Sequence, residues 1–571
     1  MNDPKGMRKG LTSYGDERFS LFLRKAFIKA MGYSDEALER PIIGITNTFS
    51  AYNACHRTVP ELVEAIKRGV MLAGGLPVEF PTISLHEAFA YPSSMFLRNL
   101  MAMDAEEMIR AQPMDAVVLI GGCDKTVPAL LMGAASANVP AMLVVTGPML
   151  TGSHRGERLG ACTDCRRYWG QHRAGQIDEQ EIEEISAKLV PSAGTCGIMG
   201  TASTMALMAE ALGMMLAGGA AIPAVHADRL RHAEAAGARA VGLAAEGLTP
   251  GQIMTPDAFA NALRVLLAIG GSTNGIIHIA AMAGRLGIEV DLAALDRMAR
   301  ETPVIVDLKP SGRYYMEDLH RAGGLAPVLR ELRPLLNLDC LTVSGRRLGE
   351  DLDTLPASWE QDVVRPLDHP LYAEGGLAVL RGNLGQAVLK QSAASAELLR
   401  HQGRAVVFDS LDDLAQRIDS DALDVRADDV LVLRNAGPKG APGMPESGYI
   451  PIPRKLARQG VTDMVRISDA RMSGTAFGTI VLHVCPEAAV GGSLALVQNG
   501  DSIRLDAAAR QLELLIDDKE LARRRAAWRA PPAHPGSERG YLKLFLEHVL
   551  QADRGCDFDF LTKTPTTAKT P

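Results

Sequence analysis

Strand-like apolar runs alternate with helix-like patterns through residues 1–370. The run "PIIGITNT" precedes the amphipathic stretch "PELVEAIKRGVMLAGG", and "LPVEFPTIS" follows it. Further along, "AVVLIGG" leads through a second helical stretch to "AMLVVTG". A β–α–β order of this kind predicts a parallel sheet with helices on both faces. Because ligands bind beyond the carboxyl ends of the strands in such sheets, the segments that follow these runs are candidates for a functional site.

From Ala378 onward the apolar runs become short, β-rich and separated by glycine. "LAVLRGNLG", "GRAVVFDS", "DDVLVLRNAG" and "DSIRLD" are typical. They predict a second, mostly β domain of barrel-like form over residues 378–547, joined to an α/β domain of residues 1–370 by the linker "ASWEQDVVRPLDHPLYAEGG". Residues 548–571 are predicted to form a C-terminal tail that closes in a disordered, polar Thr/Pro/Lys segment.

Composition narrows the class of protein. The chain has 571 residues, of which 47% are hydrophobic and 22% charged, and its formal net charge is −7. This is the profile of a globular protein of two or three domains, and the mild charge indicates neither a nucleic-acid surface nor a basic face for membranes. The N-terminal segment lacks a secretion signal, and the apolar stretch 205–225 contains Glu210, so it is interpreted as a buried helix rather than a membrane span. We therefore expect a cytoplasmic protein.

The eight cysteines are too sparse for a disulfide framework in a chain of this size. Cys55, Cys123 and Cys196 each precede a helical stretch in a loop rich in Gly, Asn or Thr, a setting that stabilises a thiolate. If folding brings them together, three thiolates suit an iron–sulfur cluster with one open iron; simple burial is the alternative for each. Cys162 and Cys165 form a CxxC without a second CxxC, so a structural or incidental role is favoured over a zinc site.

Oxygen donors lie near these cysteines. Asp124 adjoins Cys123, and Glu87 follows the predicted strand "EFPTIS". Glu446 lies in a Gly/Pro-rich loop of the second domain. Carboxylates from separate loops suit Mg²⁺, although each alone is also interpreted as a loop cap or a solvated acid. Ser473 precedes a glycine that lets the backbone approach a ligand, and an ordinary turn serine is the alternative.

Several common chemistries are disfavoured. "GGCDKT" is not a phosphate-binding loop, because Asp124 stands where a glycine would have to precede Lys125. No G-x-G-x-x-G follows a predicted strand at the start of a helix, and no His–Asp pair is evident near Ser473. The segment "GGSTNGIIH" is either an oxyanion seat or a helix cap.

Six segments in order carry a resemblance to a known family: "GITNTFSAYNACH", "GGCDKTVPA", "PSAGTCGIMGTASTM", "GGSTNGIIH", "GMPESG" and "SDARMSGTAFGT". Together they resemble the dihydroxy-acid and sugar-acid dehydratases, which include the 6-phosphogluconate dehydratases. The resemblance covers nearly the whole chain, and six ordered motifs are highly specific. It implies a hydro-lyase with two metal centres in one site.

The resemblance also implies roles for particular residues. A [2Fe–2S] cluster with one iron short of protein ligands would be held by Cys55, Cys123 and Cys196. Mg²⁺, or Mn²⁺ in its place, would be held by Glu87, Asp124, Lys125 and Glu446. Lys125 matches a position that the family carbamylates, which turns the amine into an oxygen donor. Ser473 matches the family's proposed base.

The implied reaction removes water from a 2,3-dihydroxy acid. Mg²⁺ would bind the carboxylate and the 2-hydroxyl, Ser473 as an alkoxide would take the C2 proton, and the open iron would help the 3-hydroxyl to leave. "SDARMSGT" and "GMPESG" favour a pentonate or hexonate as substrate, with 2,3-dihydroxyisovalerate of branched-chain amino-acid synthesis as the alternative. A non-catalytic iron–sulfur sensor is a distant third possibility. We expect a small-molecule substrate, no nucleic-acid or membrane partner, and a homo-oligomer built as a dimer of dimers.

Overall fold

A parallel sheet forms the centre of the first part of the chain; the computed structural model describes residues 5–11 and 13–564. The strands of this sheet are β1 (Ile42–Asn47), β2 (Leu76–Pro81), β3 (Ala116–Gly121) and β4 (Ala141–Val145). They are ordered β2-β1-β3-β4 and all run parallel. Every residue of β3 and β4 is buried, as is typical of strands covered on both faces. The predicted α/β architecture is confirmed.

Helices flank this sheet, and a short hairpin, β5 (Gly152–His154) with β6 (Glu157–Leu159), follows it. The helices of this part are α1 (Glu17–Lys29), α2 (Asp35–Leu38), α3 (Val59–Leu72), α4 (Ser94–Ala111), α5 (Thr126–Ala137), α6 (Thr163–Arg173), α7 (Glu179–Leu189), α8 (Thr201–Ala211), α9 (Ala227–Glu246), α10 (Pro250–Ile253), α11 (Pro256–Ala268), α12 (Asn274–Arg285), α13 (Leu292–Glu301), α14 (Met316–Arg321), α15 (Leu325–Glu331) and α16 (Leu348–Thr354). α3 and α9 cross so closely that a Cβ on Gly237 would come within 2.2 Å of the Ile66 carbonyl oxygen. Glycine at this position allows the two helices to approach.

A closed barrel forms the second part, which confirms the predicted barrel-like β domain. Its strands are β7 (Ala378–Gly382), β8 (Gly385–Leu389), β9 (Arg400–Phe408), β10 (Val430–Leu433), β11 (Arg466–Ser468), β12 (Ile480–Cys485), β13 (Ser502–Asp506) and β14 (Gln511–Leu514). They close in the order β10-β11-β12-β8-β7-β14-β13-β9. The helices of this part are α17 (Leu411–Arg417), α18 (Arg454–Ala457), α19 (Asp518–Ala527) and α20 (Gly540–His548).

Strand β10 is apolar throughout because each of its faces packs against a different apolar cluster. Val432 belongs to the cluster shared by the barrel strands, whereas the next residue, Leu433, packs in a separate cluster with Leu414 of α17. Successive side chains of a strand point to opposite faces, so a strand covered on both sides is a continuous apolar run.

The predicted C-terminal tail is wrong for the residues that the structure describes. Val549, Cys556 and Phe558 are buried in a cluster with Phe96 of α4, and Asp557 forms a buried ion pair with Arg285 of α12 (2.5 Å between Oδ2 and Nε). The segment after α20 packs against α4 and α12 of the first part, because burial of its apolar side chains is favourable. Residues 565–571, which contain most of the Thr/Pro/Lys segment, lie outside the described residues.

The apolar stretch 205–225 is only partly the expected buried helix. α8 ends at Ala211, and the Glu210 carboxylate then accepts hydrogen bonds from the Gly218 and Ala220 N–H groups (2.7 and 2.8 Å). Within residues 5–11 and 13–564, no helix is long and apolar enough to cross a membrane.

Candidate active site

The loops after β1, β2 and β3 meet at the carboxyl edge of the parallel sheet. Cys55 lies in a 3-10 turn after β1, Glu87 lies in the loop after β2, and Cys123 to Lys125 follow β3 directly. Parallel strands bring the segments that follow them to one edge, so residues far apart in sequence become neighbours.

Three carboxylates form the oxygen-rich side of the site. Oxygen atoms of Glu87, Asp124 and Glu446 lie within 4.8 Å of one another. Glu446 begins the 3-10 turn Glu446–Tyr449 of the barrel part, so both parts of the chain contribute. The donor set fits a hard divalent cation such as Mg²⁺ or Mn²⁺, which prefers oxygen ligands.

Two fully buried cations accompany these carboxylates. The Lys125 Nζ lies 3.1 Å from Asp124 Oδ2 and 3.2 Å from Glu87 Oε2. The Arg471 guanidinium lies 2.6 Å from Glu446 Oε1 and 2.9 Å from Glu87 Oε1. Buried charges must be paired, and the two cations offset the repulsion among the three carboxylates.

This arrangement shifts the pKa values of the charged groups. Burial opposes ionisation of Glu87, but Arg471 and Lys125 outweigh it and lower the pKa of that carboxyl. Burial, with repulsion from Glu87, raises the pKa of Glu446 to about 7. Burial and Arg471 oppose a charge on Lys125, but the carboxylates prevail and raise its pKa. Lys125 is therefore held as an ammonium, which donates hydrogen bonds and offers no lone pair to a cation.

Sulfur donors lie directly beside the oxygen donors. Ligand atoms of Cys55, His86 and Cys123 lie within 4.8 Å of one another. A hydrogen bond from Cys123, supported by His86, lowers the pKa of Cys55 to about 7 although burial opposes this. The Cys123 Sγ is 3.6 Å from Asp124 Oδ1, so the sulfur and oxygen sets touch at adjacent residues. The hydrogen bond with Cys55, together with burial, raises the pKa of Cys123. Cysteine sulfurs placed in this way fit an iron–sulfur cluster.

Cys196 reaches the same site and has a neighbour that the sequence did not indicate. Its Sγ lies 3.8 Å from the Sγ of Cys162. Contact with Cys162, burial and the nearby Cys55 and Asp124 raise the pKa of Cys196. The Cys196 sulfur is not among the ligand atoms of Cys55, His86 and Cys123 that lie within 4.8 Å of one another.

Ser473 lies in the loop between β11 and β12. Its Oγ is 2.8 Å from Thr475 Oγ1, and Arg166 Nη1 of α6 donates to that same hydroxyl at 2.7 Å. The positive charge of the guanidinium thus reaches the serine through one hydroxyl group, which favours negative charge on the serine oxygen.

The "GGSTNG" segment connects the barrel loops to the first part. Asn274 Nδ2 donates to the Met472 carbonyl at 3.1 Å and to Glu446 Oε1 at 3.4 Å. A Cβ on Gly474 would come within 2.5 Å of the Ser272 Cβ, so only glycine allows the serine loop to approach this closely. The segment therefore positions Glu446 and the serine loop.

A cleft of about 1140 Å³ opens beside these groups. It combines charged, aromatic and thiol side chains, among them Cys162, Arg166, Glu446, Tyr449 and Phe477. A concave cleft with a few convergent polar groups is the usual form of a small-molecule site.

Sequence reasoning missed several residues of this site, among them Arg471 and His86. Arg471 lies two residues before Ser473, and His86 directly precedes Glu87, so adjacency to a predicted residue was the available signal. Cys162, for which a structural or incidental role was predicted, contacts the predicted ligand Cys196, and its place in a CxxC did not indicate that neighbour.

Sulfur donors, oxygen donors and a candidate base lie together beside this cleft, an arrangement that suits an enzyme that activates oxygens of a small acid. Family models described as "Dihydroxy-acid/6-phosphogluconate dehydratase N-terminal" and "C-terminal" match residues 40–351 and 362–556. The chain belongs to the dihydroxy-acid/6-phosphogluconate dehydratase family, and it is a hydro-lyase.

Three similar proteins indicate the branch of that family. An L-arabonate dehydratase of Azospirillum brasilense is 52% identical over 95% of each chain. An L-arabinonate dehydratase of Rhizobium leguminosarum bv. trifolii is 49% identical over 96% of this chain and 95% of its own. A 6-deoxy-6-sulfo-D-gluconate dehydratase of Pseudomonas putida is 47% identical over 92% of this chain and 91% of its own.

Proposed function

We propose that this chain dehydrates a sugar acid, a pentonate or hexonate with hydroxyls at C2 and C3, to a 2-oxo-3-deoxy acid. The observation that carries the proposal is the contact of sulfur and oxygen donors at Cys123 and Asp124. The relatives named for arabonate, arabinonate and sulfogluconate support a sugar acid. The family description also includes dihydroxy acids, so 2,3-dihydroxyisovalerate is the second candidate, although none of these three relatives is named for it.

Two bound groups are assigned to the donors. A [2Fe–2S] cluster would be held by Cys55, Cys123 and Cys196. Mg²⁺, or Mn²⁺, would be held by Glu87, Asp124, Glu446 and Lys125. Because Lys125 as an ammonium offers no lone pair, it would serve only after carbamylation, and its place between Asp124 and Glu87 supports that role. When bound, the two groups would supply Lewis acidity to the substrate's oxygens.

Ser473 would take the proton from C2 of the substrate. A serine hydroxyl is a weak base at neutral pH, so its surroundings must favour the alkoxide. Arg166 supplies one positive charge through Thr475. Lys390 holds the loop in place, since its Nζ donates to the Gly474 carbonyl at 3.0 Å. The proton taken from C2 and the 3-hydroxyl are together lost as one water molecule, and the enol that remains tautomerises to the 2-oxo acid.

The chain is also proposed to work in the cytoplasm as a homo-oligomer, a dimer of dimers. Large apolar side chains of α1 and the turn after it support an interaction surface, because Phe22, Phe27 and Met31 are 65%, 75% and 76% exposed. Exposed apolar groups in one place typically mark protein–protein contacts.

The proposal is tested by measuring 2-oxo acid formation by protein reconstituted with iron, sulfide and Mg²⁺. The substrate panel contains D- and L-pentonates, hexonates, 6-phosphogluconate and 2,3-dihydroxyisovalerate, with Ser473→Ala as the control for contaminating activity. We expect turnover of a sugar acid and slow turnover of the isovalerate. Turnover of the isovalerate alone would replace the sugar acid with the second candidate. No turnover of any acid by loaded protein would contradict dehydration.

A further inference from the structure

Arg471 joins the two parts of the chain at the oxygen-rich side of the site, where its side chain is fully buried. Its Nη1 lies 2.6 Å from Oε1 of Glu446, which belongs to the barrel part. Its Nη2 lies 2.9 Å from Oε1 of Glu87, which follows β2 of the first part. One oxygen of each glutamate is therefore bound to the same guanidinium, whose planar fork fixes the two carboxylates relative to each other.

The guanidinium of Arg471 is itself held in one orientation. Its Nε donates to the Met444 carbonyl at 2.6 Å, so all three of its nitrogens are hydrogen bonded. The Arg471 carbonyl accepts from the Gly448 N–H at 2.9 Å, which fixes the turn that carries Glu446. Asn274 Nδ2 donates to the same Glu446 oxygen at 3.4 Å. These contacts commit Oε1 of Glu446 to hydrogen bonds.

The second oxygen of each glutamate stays available to a cation. Oε2 of Glu446 accepts no hydrogen bond from the part of the chain that the structure describes. Oε2 of Glu87 accepts from the Ser94 hydroxyl and lies 3.2 Å from Nζ of Lys125, the residue proposed as a ligand after carbamylation. Each glutamate can thus give one oxygen to a cation, and neither can give two.

We propose that Arg471 makes the site selective for Mg²⁺ or Mn²⁺ over Ca²⁺, because it restricts Glu87 and Glu446 to one ligand oxygen each. The inference rests on the proposed function, which assigns the cation to these residues. Mg²⁺ fills the positions that the protein leaves open with water or substrate, whereas Ca²⁺ typically takes more oxygen ligands and gains from carboxylates that bind through both oxygens. A site with single-oxygen carboxylates therefore disfavours the larger ion.

This selection favours the proposed reaction and can be separated from a simple effect of charge. Mg²⁺ holds its ligands at about 2.0–2.1 Å and Ca²⁺ at about 2.3–2.6 Å, so the smaller ion polarises a substrate oxygen more strongly. The positive charge of Arg471 repels both ions almost equally, because Mg²⁺ and Ca²⁺ carry the same charge. The ratio of their Kd values therefore reports the ligand geometry rather than the charge of Arg471.

The test compares wild type, Arg471→Lys, Arg471→Met and Arg466→Lys, each reconstituted anaerobically with iron and sulfide, freed of divalent cations and supplied with bicarbonate. Calorimetric titration with Mg²⁺, Mn²⁺ and Ca²⁺ gives a Kd for each ion, and competition against bound Mn²⁺ gives the Kd of an ion that binds too weakly for direct titration. Arg471→Lys keeps the positive charge but lacks the planar fork.

Arg466→Lys is the matched control. Arg466 is also a buried arginine of the barrel part, but it pairs with Asp463 (2.5 Å between Nη2 and Oδ1) and not with the carboxylates of the site. Circular dichroism confirms that each variant is folded, and Arg471→Lys carries the test if Arg471→Met does not fold.

We expect wild type to bind Mg²⁺ and Mn²⁺ more tightly than Ca²⁺. The preference for Mg²⁺ over Ca²⁺ should fall at least about tenfold in both Arg471 variants and stay unchanged in Arg466→Lys. Wild type that binds Ca²⁺ as tightly as Mg²⁺, an unchanged ratio in the folded Arg471 variants, or an equal fall in Arg466→Lys would overturn the inference and leave the proposed function intact. Wild type that binds no divalent cation would overturn both the inference and the assignment of Mg²⁺ in the proposed function.

Discussion

Lys390→Met is expected to make the protein more stable at pH 6 and to lose that advantage as pH rises. Lys390 is fully buried, and its Nζ hydrogen bonds to the Gly474 carbonyl beside Ser473. Burial lowers its pKa from 10.5 to about 7. A lysine kept in such a place destabilises the fold whenever it is protonated.

The magnitude follows from the difference between the folded and unfolded pKa values. A shift from 10.5 to about 7 corresponds to about 5 kcal/mol of unfolding free energy. The unfolded chain binds the proton more tightly, so the penalty is present in full below pH 7, shrinks between pH 7 and 10.5, and is absent above. Methionine removes the penalty but leaves the Gly474 carbonyl without its donor, which costs about 1–3 kcal/mol. We expect a net gain of about 2–4 kcal/mol at pH 6, falling by about 1.4 kcal/mol per pH unit above pH 7.

Urea unfolding followed by circular dichroism at pH 6, 7, 8 and 9 measures this difference as a shift in midpoint. Lys519→Met, which removes an exposed lysine of α19, is the control and should show no comparable trend. A difference between Lys390→Met and wild type that stays constant with pH would refute the reasoning. Turnover by Lys390→Met should fall about tenfold to hundredfold, because the serine loop loses the hydrogen bond that holds the Gly474 carbonyl.

Three further changes test individual groups of the site. Ser473→Ala should lower kcat at least about 100-fold while the visible spectrum of the cluster stays unchanged; turnover within threefold of wild type would exclude Ser473 as the base. Cys123→Ser should lose both the visible absorption and turnover, and a colourless, fully active variant would remove the cluster from the mechanism. The pKa of Glu446 is raised to about 7, so its proton competes with a cation in more acidic solution, and Mg²⁺ affinity measured by calorimetry should fall about tenfold per pH unit below pH 7. Glu446→Gln should bind Mg²⁺ weakly and without this pH dependence, whereas an unchanged pH profile in the variant would assign the titration to another group.

The periodicity of the sequence was sufficient for the type and order of the main elements. "AVVLIGG" and "AMLVVTG" are β3 and β4, because strands covered on both faces must be apolar throughout. Local patterns were less informative where a distant contact decides the outcome. Phe558 lies in a segment predicted to be a C-terminal tail, yet it is buried with Phe96, which is more than four hundred residues earlier in the chain.

The residues of the site also fall into those that the sequence predicted and those that only the structure shows. The residue types at 55, 87, 123–125, 196, 446 and 473 were chosen from the sequence because their chemistry and their place after strands or in glycine-rich loops point to metal and acid–base roles. The residues that adjust this chemistry were not visible in that way. Arg471 and Lys390 act through charge in a buried environment, and burial is a property of the fold rather than of the local sequence.

By itself the sequence determined the fold class and the family and predicted a set of donor residues, because apolar periodicity and the chemistry of side chains are local properties of the chain. Only the tertiary structure decided which donors touch. It placed Cys123 against Asp124, Cys162 against Cys196, and Arg166 one hydroxyl group away from Ser473. Contacts between segments tens or hundreds of residues apart depend on how the sheet, α6 and the barrel pack together, and that packing balances many weak apolar contacts over the whole molecule.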